Sequence, residues 1–440
     1  MMEKTRRDFL KLAALGAAGA TVGMSAKSYS QIVGANQRVN FAIIGLHSRG
    51  YAHLDGIRFA ENTNISHVCD VDRHELEKFT LVVEQSTGKS TVGVKDFRTI
   101  LDDKTVDAVT IATPEHWQAP LAILALKAGK HVYVEKPGSH NPHEGELLVQ
   151  AQQRYGRLVQ LGNQQRSSPH SREIIQKIHD GLIGTPYFGK AWYTNTRKSI
   201  GTGKEVPVPE WLDWELWQGP APRRPYKDNI HPYNWHWFWN WGTGETLNNG
   251  THEVDLCRWA LQLGYPERIS AAGGRYHYKD DWEFYDTLVA NFEYKDKLIT
   301  WECLSCQGKQ PYGRGRGVTI HGSTGTVLLD RDGYELYDLN DKMIAEFKIH
   351  SANTTQDLQS RDEMTNGHFR NFIDGIRLGT PLNSAIALCN PSVAMLQTAN
   401  IAWYVKKTLE IDPQNGHIRT EGKARAMWRR RYEKGWEPTV

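Results

Sequence analysis

The stretch that decides the fold is Val39-Asn40-Phe41-Ala42-Ile43-Ile44-Gly45-Leu46-His47-Ser48-Arg49-Gly50. A short apolar run feeds a glycine turn and then a helix-length segment, the way a doubly wound dinucleotide-binding sheet begins. The dinucleotide fingerprint has a middle glycine where this chain has His47. That glycine ordinarily lets the backbone approach a pyrophosphate, so His47 either points its side chain away or adds a contact of its own. Gly45 and Gly50 still permit the tight turn and close helix packing. The helix start at Ser48 and Arg49 still offers backbone donors to phosphate.

Working outward, similar apolar runs recur at Ile65 to Cys69, Asp107 to Ala112, His131 to Val134 and Arg157 to Leu161, with helix-length segments between most of them. Buried parallel strands linked by crossover helices read this way. Asp70, twenty residues beyond Gly50, stands where a carboxylate binds the ribose hydroxyls and disfavours a ribose phosphate, which selects NAD over NADP. Two further strand ends fall where such sheets bind ligands. One is Ala112 to Pro120, with Thr113, Pro114 and His116 as cofactor contacts; the other is Glu135-Lys136-Pro137. Pro137 confines Lys136 to extended backbone and aims its side chain, so Lys136 can hydrogen-bond a reacting oxygen.

The second half reads differently. Ile269 to Leu339 alternates apolar and polar residues between turns such as Asp332-Gly333, as antiparallel strands do. Asn366 to Leu409 reads as largely helical, and the tail after Asp412 as loop. The expected architecture is α/β: a Rossmann domain with a doubly wound parallel sheet over 37–162, a C-terminal α/β substrate and oligomerisation domain over 163–412, and a tail over 413–440. Seven of the fifteen tryptophans lie between Trp211 and Trp241. Aromatic faces stack on the C–H faces of sugar rings, so the cluster is either a carbohydrate pocket or a packed insertion sealing the site. Trp235, His236, Trp237, Tyr193, Arg166, Arg197 and Lys198 are the substrate candidates. His252 stands near the start of an apolar-striped helical run, a placement that favours the neutral imidazole a general base needs.

Composition narrows the partners. Five basic residues against two acids in the first thirty positions account for the net charge of +3; beyond them the chain carries 48 of each sign. Balanced charge leaves no footprint for nucleic acid. Thr5 to Lys11, TRRDFLK, precedes an Ala- and Gly-rich apolar stretch, too short to span a membrane. Residues 1–30 resemble a twin-arginine export signal, which predicts a periplasmic protein with no integral membrane segment. The five cysteines are too few and scattered for a disulfide framework, and Cys303 and Cys306 lack a second pair at metal spacing, so no metal site is expected.

The glycine turn, the ATPEHW loop, KHVYVEKP (Lys130 to Pro137) and NNGTHEVDLCRW (Asn248 to Trp259) together resemble the Gfo/Idh/MocA family of oxidoreductases. The resemblance implies bound NAD, a catalytic-site lysine at Lys136, a general-base histidine at His252, and a large, open, mostly antiparallel C-terminal sheet that supports homo-oligomers. Two positions depart from the family: Asn248 stands where many members carry Asp, and Gln118 where a histidine is common. An asparagine cannot accept a proton, which limits Asn248 to hydrogen bonding. The reaction expected is hydride transfer at a sugar hydroxyl carbon with tightly held NAD, redox-neutral overall through glycoside cleavage or epimerisation. An ordinary sugar or polyol dehydrogenase and a cofactor-free sugar-binding protein are the alternatives.

Overall fold

The computed structural model describes residues 38–349 and 363–440, so the twin-arginine segment lies outside the described residues. In chain order the first half runs β1 (Val39–Ile44), α1 (Ser48–Arg58), β2 (Thr63–Cys69), α2 (Arg73–Thr87), β3 (Val92–Val94), α3 (Arg98–Asp102), β4 (Ala108–Ile111), α4 (Glu115–Lys127), β5 (His131–Val134), α5 (Pro142–Tyr155) and β6 (Val159–Leu161). These strands form one parallel sheet in the order β3-β2-β1-β4-β5-β6, the doubly wound arrangement. β4 is buried at every position, as a strand covered on both faces must be. Local chemistry sets the helix ends. Asp72 caps α2 by accepting the His74 and Glu75 amides, and Gly88 ends it in the left-handed region. β3 was invisible as an apolar run because it lies mostly exposed at the sheet edge.

The second half adds α6 (Pro169–His179), β7 (Pro186–Thr194), α7 (Trp214–Gln218), α8 (Gly244–Asn248), α9 (Gly250–Ala260), β8 (Arg268–Gly274), β9 (Thr287–Glu293), β10 (Leu298–Leu304), β11 (Arg316–Gly322), β12 (Thr326–Leu329), β13 (Gly333–Tyr337), β14 (Met343–Lys348), α10 (Glu363–Leu378), α11 (Ile386–Val405), β15 (Leu409–Glu410) and α12 (Lys423–Ala426). The nine-stranded sheet runs β14-β13-β12-β11-β7-β10-β9-β8-β15. Only β7 and β10 pair in parallel; all other neighbours are antiparallel. β10 alternates half-buried and buried residues, the signature of a sheet with one covered face.

The long helical stretch expected after Asn366 is two helices, broken between them where Gly379 takes φ +71°. α10 crosses back to the first sheet: the Phe369 ring stacks on Tyr133 at 4.2 Å, and a Cβ at Gly56 on α1 would meet that ring at 2.4 Å. The tail is irregular but anchored, because Tyr432 donates to Glu144 at 2.8 Å and Trp436 meets Trp117 edge-on at 5.1 Å. No helix among the described residues is long and apolar enough to cross a membrane.

Candidate functional site

A cavity of about 1170 Å³ collects the C-terminal ends of β1, β2, β4 and β5, the start of α9, and residues of β7 and β11. It exceeds the roughly 300–1,000 Å³ of an ordinary small-molecule pocket, leaving space for a dinucleotide and a second molecule. Gly45 has φ +89°, and a Cβ there would meet the Ala112 and Thr113 backbone at 2.6–2.7 Å. Only glycine allows that approach of two strand ends. His47 is the N-cap residue of α1 but makes no side-chain capping hydrogen bond, so the helix start at Ser48 keeps an amide available to a ligand. This fits a pyrophosphate. Asp70 accepts the Leu46 and Asp72 amides at 2.8 and 3.0 Å, which shapes the same loop. Burial raises its pKa against those hydrogen bonds. Thr113 and Pro114 line the cavity.

Glu135 and Lys136 leave β5 in opposite roles. Burial pushes the Glu135 carboxyl up, but the Arg49 guanidinium at 2.7 Å and His53 at 3.0 Å outweigh it and hold the group well below the usual carboxylate range. Lys136, whose peptide to Pro137 is cis, donates to Asn248 Oδ1 at 3.0 Å and to the Asn248 main-chain carbonyl at 2.5 Å. Burial brings its pKa down to about 8, against the opposing charge of Glu115. Gln118 accepts the Gly138 amide at 2.8 Å, so the residue found in place of the family's histidine braces the loop that carries Lys136.

His252 stands in the first turn of α9 and is buried. Desolvation, followed by the charges of Arg331, Arg316 and Lys136, drives its pKa well below the ordinary histidine value. The imidazole is therefore neutral at physiological pH, and its Nδ1 is a buried atom without a hydrogen-bond partner. Arg197 bonds Glu245 at 2.5 Å and faces Tyr193, while His236 stacks on Trp235 at 3.6 Å; all four candidates line the cavity.

Four sequence candidates lie elsewhere. His116 is wholly buried, with Nε2 on the Trp217 carbonyl at 2.9 Å, because the turn of α4 that presents Glu115 to the cavity rotates its neighbour into the protein. Arg166 is spent on a buried pair with Asp255, at 2.5 and 3.0 Å. Trp237 is core, stacked on Trp282 at 3.8 Å, and Lys198 is exposed outside the cavity. Most of the tryptophan cluster is packing: Trp214, Trp217 and Trp241 share a small core with Tyr226 and Phe238. Of the seven tryptophans, Trp217 and Trp235 line the cavity.

Two residues of the site escaped sequence reasoning. Glu115 is buried, hydrogen-bonded to the Thr243 hydroxyl, and burial pushes its carboxyl up to about 7 despite Lys136 nearby. Its signal was present, since it adjoins Thr113 and Pro114 at a strand end. Arg316 arrives from β11, bonds Glu253 at 2.7 Å and keeps a buried Nη2 without a partner. No local pattern marks it.

Comparison with known proteins identifies the family and the fold. The family model described as "Oxidoreductase family, NAD-binding Rossmann fold" (GFO_IDH_MocA) matches residues 39–163, and the "GFO/IDH/MocA C-terminal domain" matches residues 218–328. A glycosyl hydrolase family 109 protein of Saccharopolyspora erythraea is 30% identical over 182 residues, 40% of this chain and 39% of that protein. An alpha-N-acetylgalactosaminidase of Tannerella forsythia is 26% identical over 240 residues, 50% of this chain and 51% of that one. The aligned part thus spans about 39 to 51% of the length of these curated relatives. A levoglucosan dehydrogenase solved with NADH and levoglucosan shares the fold at a TM-score of 0.65 with 17% identity, covering 85% of this chain and 99% of that one.

Proposed function

The chain belongs to the Gfo/Idh/MocA family of oxidoreductases and carries its NAD-binding Rossmann domain, and from that premise we propose that it is an exported, carbohydrate-active enzyme. In this reading it keeps its NAD through each turnover and is redox-neutral overall, cleaving or epimerising a sugar through a keto intermediate. The observation that carries the reading is the meeting of Lys136, His252 and Asn248 on the cavity that also holds the nucleotide loop.

Bound NAD would supply the acceptor for hydride from the sugar carbon and the donor on its return. The protein's part is proton handling and orientation. His252, neutral in its buried position, takes the sugar hydroxyl proton; Lys136 donates a hydrogen bond to the same oxygen; Asn248 fixes Lys136. Oxidation acidifies the neighbouring C–H, and a second proton carrier is then needed. Glu115, with a carboxyl that titrates near neutrality beside Lys136, has the property that role requires. The glycosidase names among the relatives support the redox-neutral exit, as does the resemblance of residues 1–30 to a twin-arginine signal, because an exported enzyme would have no NAD pool to draw on.

The test is to purify the full chain without added nucleotide, denature it and identify the released small molecule by mass spectrometry. Near-stoichiometric NAD or NADH, with turnover of a glycoside in its absence from the buffer, supports the proposal. An empty protein whose turnover depends on added NAD makes it an exchanging dehydrogenase instead.

A further inference from the structure

His47, Asp72 and His231 come from three separate segments and meet beside the nucleotide loop. One ligand atom from each lies within 4.8 Å of the other two. Asp72 divides its carboxylate: Oδ1 accepts the His74 and Glu75 amides at 2.9 and 3.2 Å, while Oδ2 faces both imidazoles. That oxygen is 3.5 Å from His47 Nε2 and 3.8 Å from His231 Nε2. The side chains of Asp72 and His231 are 5% and 6% exposed, and His47 Nε2 is a buried atom with no hydrogen-bond partner. Asp72 Oδ2 thus pairs with both imidazoles at distances longer than a short hydrogen bond, and the His47 side chain stays 37% exposed on the cavity.

We propose that His47, Asp72 and His231 form a site for a divalent transition-metal ion of the zinc class, tying the tryptophan-rich insertion to the nucleotide loop. A tetrahedral ion with bonds of about 2.0–2.1 Å sets its ligand atoms about 3.3 Å apart, so small side-chain shifts close the site. Two imidazoles and one carboxylate suit zinc and its neighbours; magnesium and calcium require oxygen ligands. Three protein ligands leave a fourth position, which fits a water or a phosphate oxygen.

The scaffold holds the ligands in place. The Arg73 amide bonds the Trp211 carbonyl at 2.9 Å, the Asp213 amide bonds the Val71 carbonyl at 3.1 Å, and His74 stacks on Trp211 at 5.2 Å. The α2 amides orient the carboxylate, the outer support that metal-binding carboxylates need. The site also gives a reason for a histidine where the fingerprint has glycine. Sequence spacing could not reveal it, because the insertion that brings His231 folds back from far along the chain.

The experiment titrates the untagged, chelator-treated full chain with Co²⁺ alone, whose visible spectrum reports its ligands, and then displaces it with Zn²⁺. The expected result is one equivalent bound with no thiolate-to-metal charge-transfer band, although the protein has five cysteines. His47→Ala and His231→Ala should each weaken binding by more than the roughly 10- to 100-fold that loss of a supporting residue costs. Cys306→Ser should change nothing. No saturable binding, a thiolate band, or undiminished affinity in either histidine variant overturns the site. The spectrum of the unsubstituted protein decides even if a variant fails to fold.

Discussion

Lys136 donates to both oxygens of Asn248, the side-chain Oδ1 at 3.0 Å and the main-chain carbonyl at 2.5 Å, across 112 residues of sequence. The asparagine is thus a positioning residue: it accepts, carries no charge and leaves the lysine with its burial-lowered pKa of about 8. Asn248→Asp keeps the acceptor but adds a carboxylate against the ammonium, which favours the charged lysine. The alkaline limb of kcat/KM should move up by roughly one pH unit or more. Asn248→Ala should lower kcat by up to about a hundredfold, the lower end of a proton-transfer contribution, with NAD affinity unchanged. A pH profile of Asn248→Asp that matches the parent would remove Lys136 as the titrating group.

Glu115 makes stability depend on pH in a defined direction. Its carboxyl pKa rises from the ordinary 4.5 to about 7 in the folded protein, so the stability linked to its neutral form is complete at low pH and is lost as pH climbs through about 7. Glu115→Gln keeps a neutral side chain at every pH. Relative to the parent, the variant should gain stability between about pH 5 and 8, by on the order of 2–3 kcal/mol at the upper end. Thermal unfolding of both proteins across that range checks it; a constant difference in Tm would show that Glu115 ionises normally.

Much of the fold was legible because its signals are local. The apolar run into Gly45, the strand ends at Asp70, Thr113 and Lys136, and the alternation of β8 to β13 each lie within a few consecutive residues. Lys136 was legible from its place at a strand end before Pro137, whereas His252 needed the resemblance as well, since a lone histidine near a helix start has no spacing to mark it. What could not be read depends on orientation. Glu115 and His116 are adjacent on α4, yet one lines the cavity and the other is sealed under Trp217. Arg316 and the partner of Arg166 are set by contacts across the fold, which no short window contains.

Arg166 should behave as a structural residue. It forms two hydrogen bonds to Asp255, and both side chains are almost wholly buried. Arg166→Met leaves the Asp255 charge without its main partner and should cost roughly 3–5 kcal/mol. Adding Asp255→Leu should recover a large part of that loss, because the unpaired charge is then gone. Chemical denaturation measures both. Sugar KM should stay within about twofold in folded Arg166→Met; a large rise in KM with stability intact would return Arg166 to the substrate site.

Trp235 and Trp237 are two residues apart and should separate cleanly. Trp235 lines the cavity with its ring against His236, whereas Trp237 is 1% exposed and stacked on Trp282. Trp235→Ala removes a face on which a sugar ring can stack, worth about 0.5–1.5 kcal/mol, so KM should rise by roughly 2- to 10-fold with Tm little changed. Trp237→Ala empties part of the core and should cost about 3–5 kcal/mol. It should also loosen Arg197, which sits over the Trp237 ring at 5.0 Å and holds Glu245 on its other side. Steady-state kinetics and thermal unfolding, measured on both variants, separate the roles. If Trp235→Ala loses stability and leaves KM untouched, the tryptophan-rich insertion is packing throughout, and sugar recognition rests on Arg197, Arg316 and Tyr193.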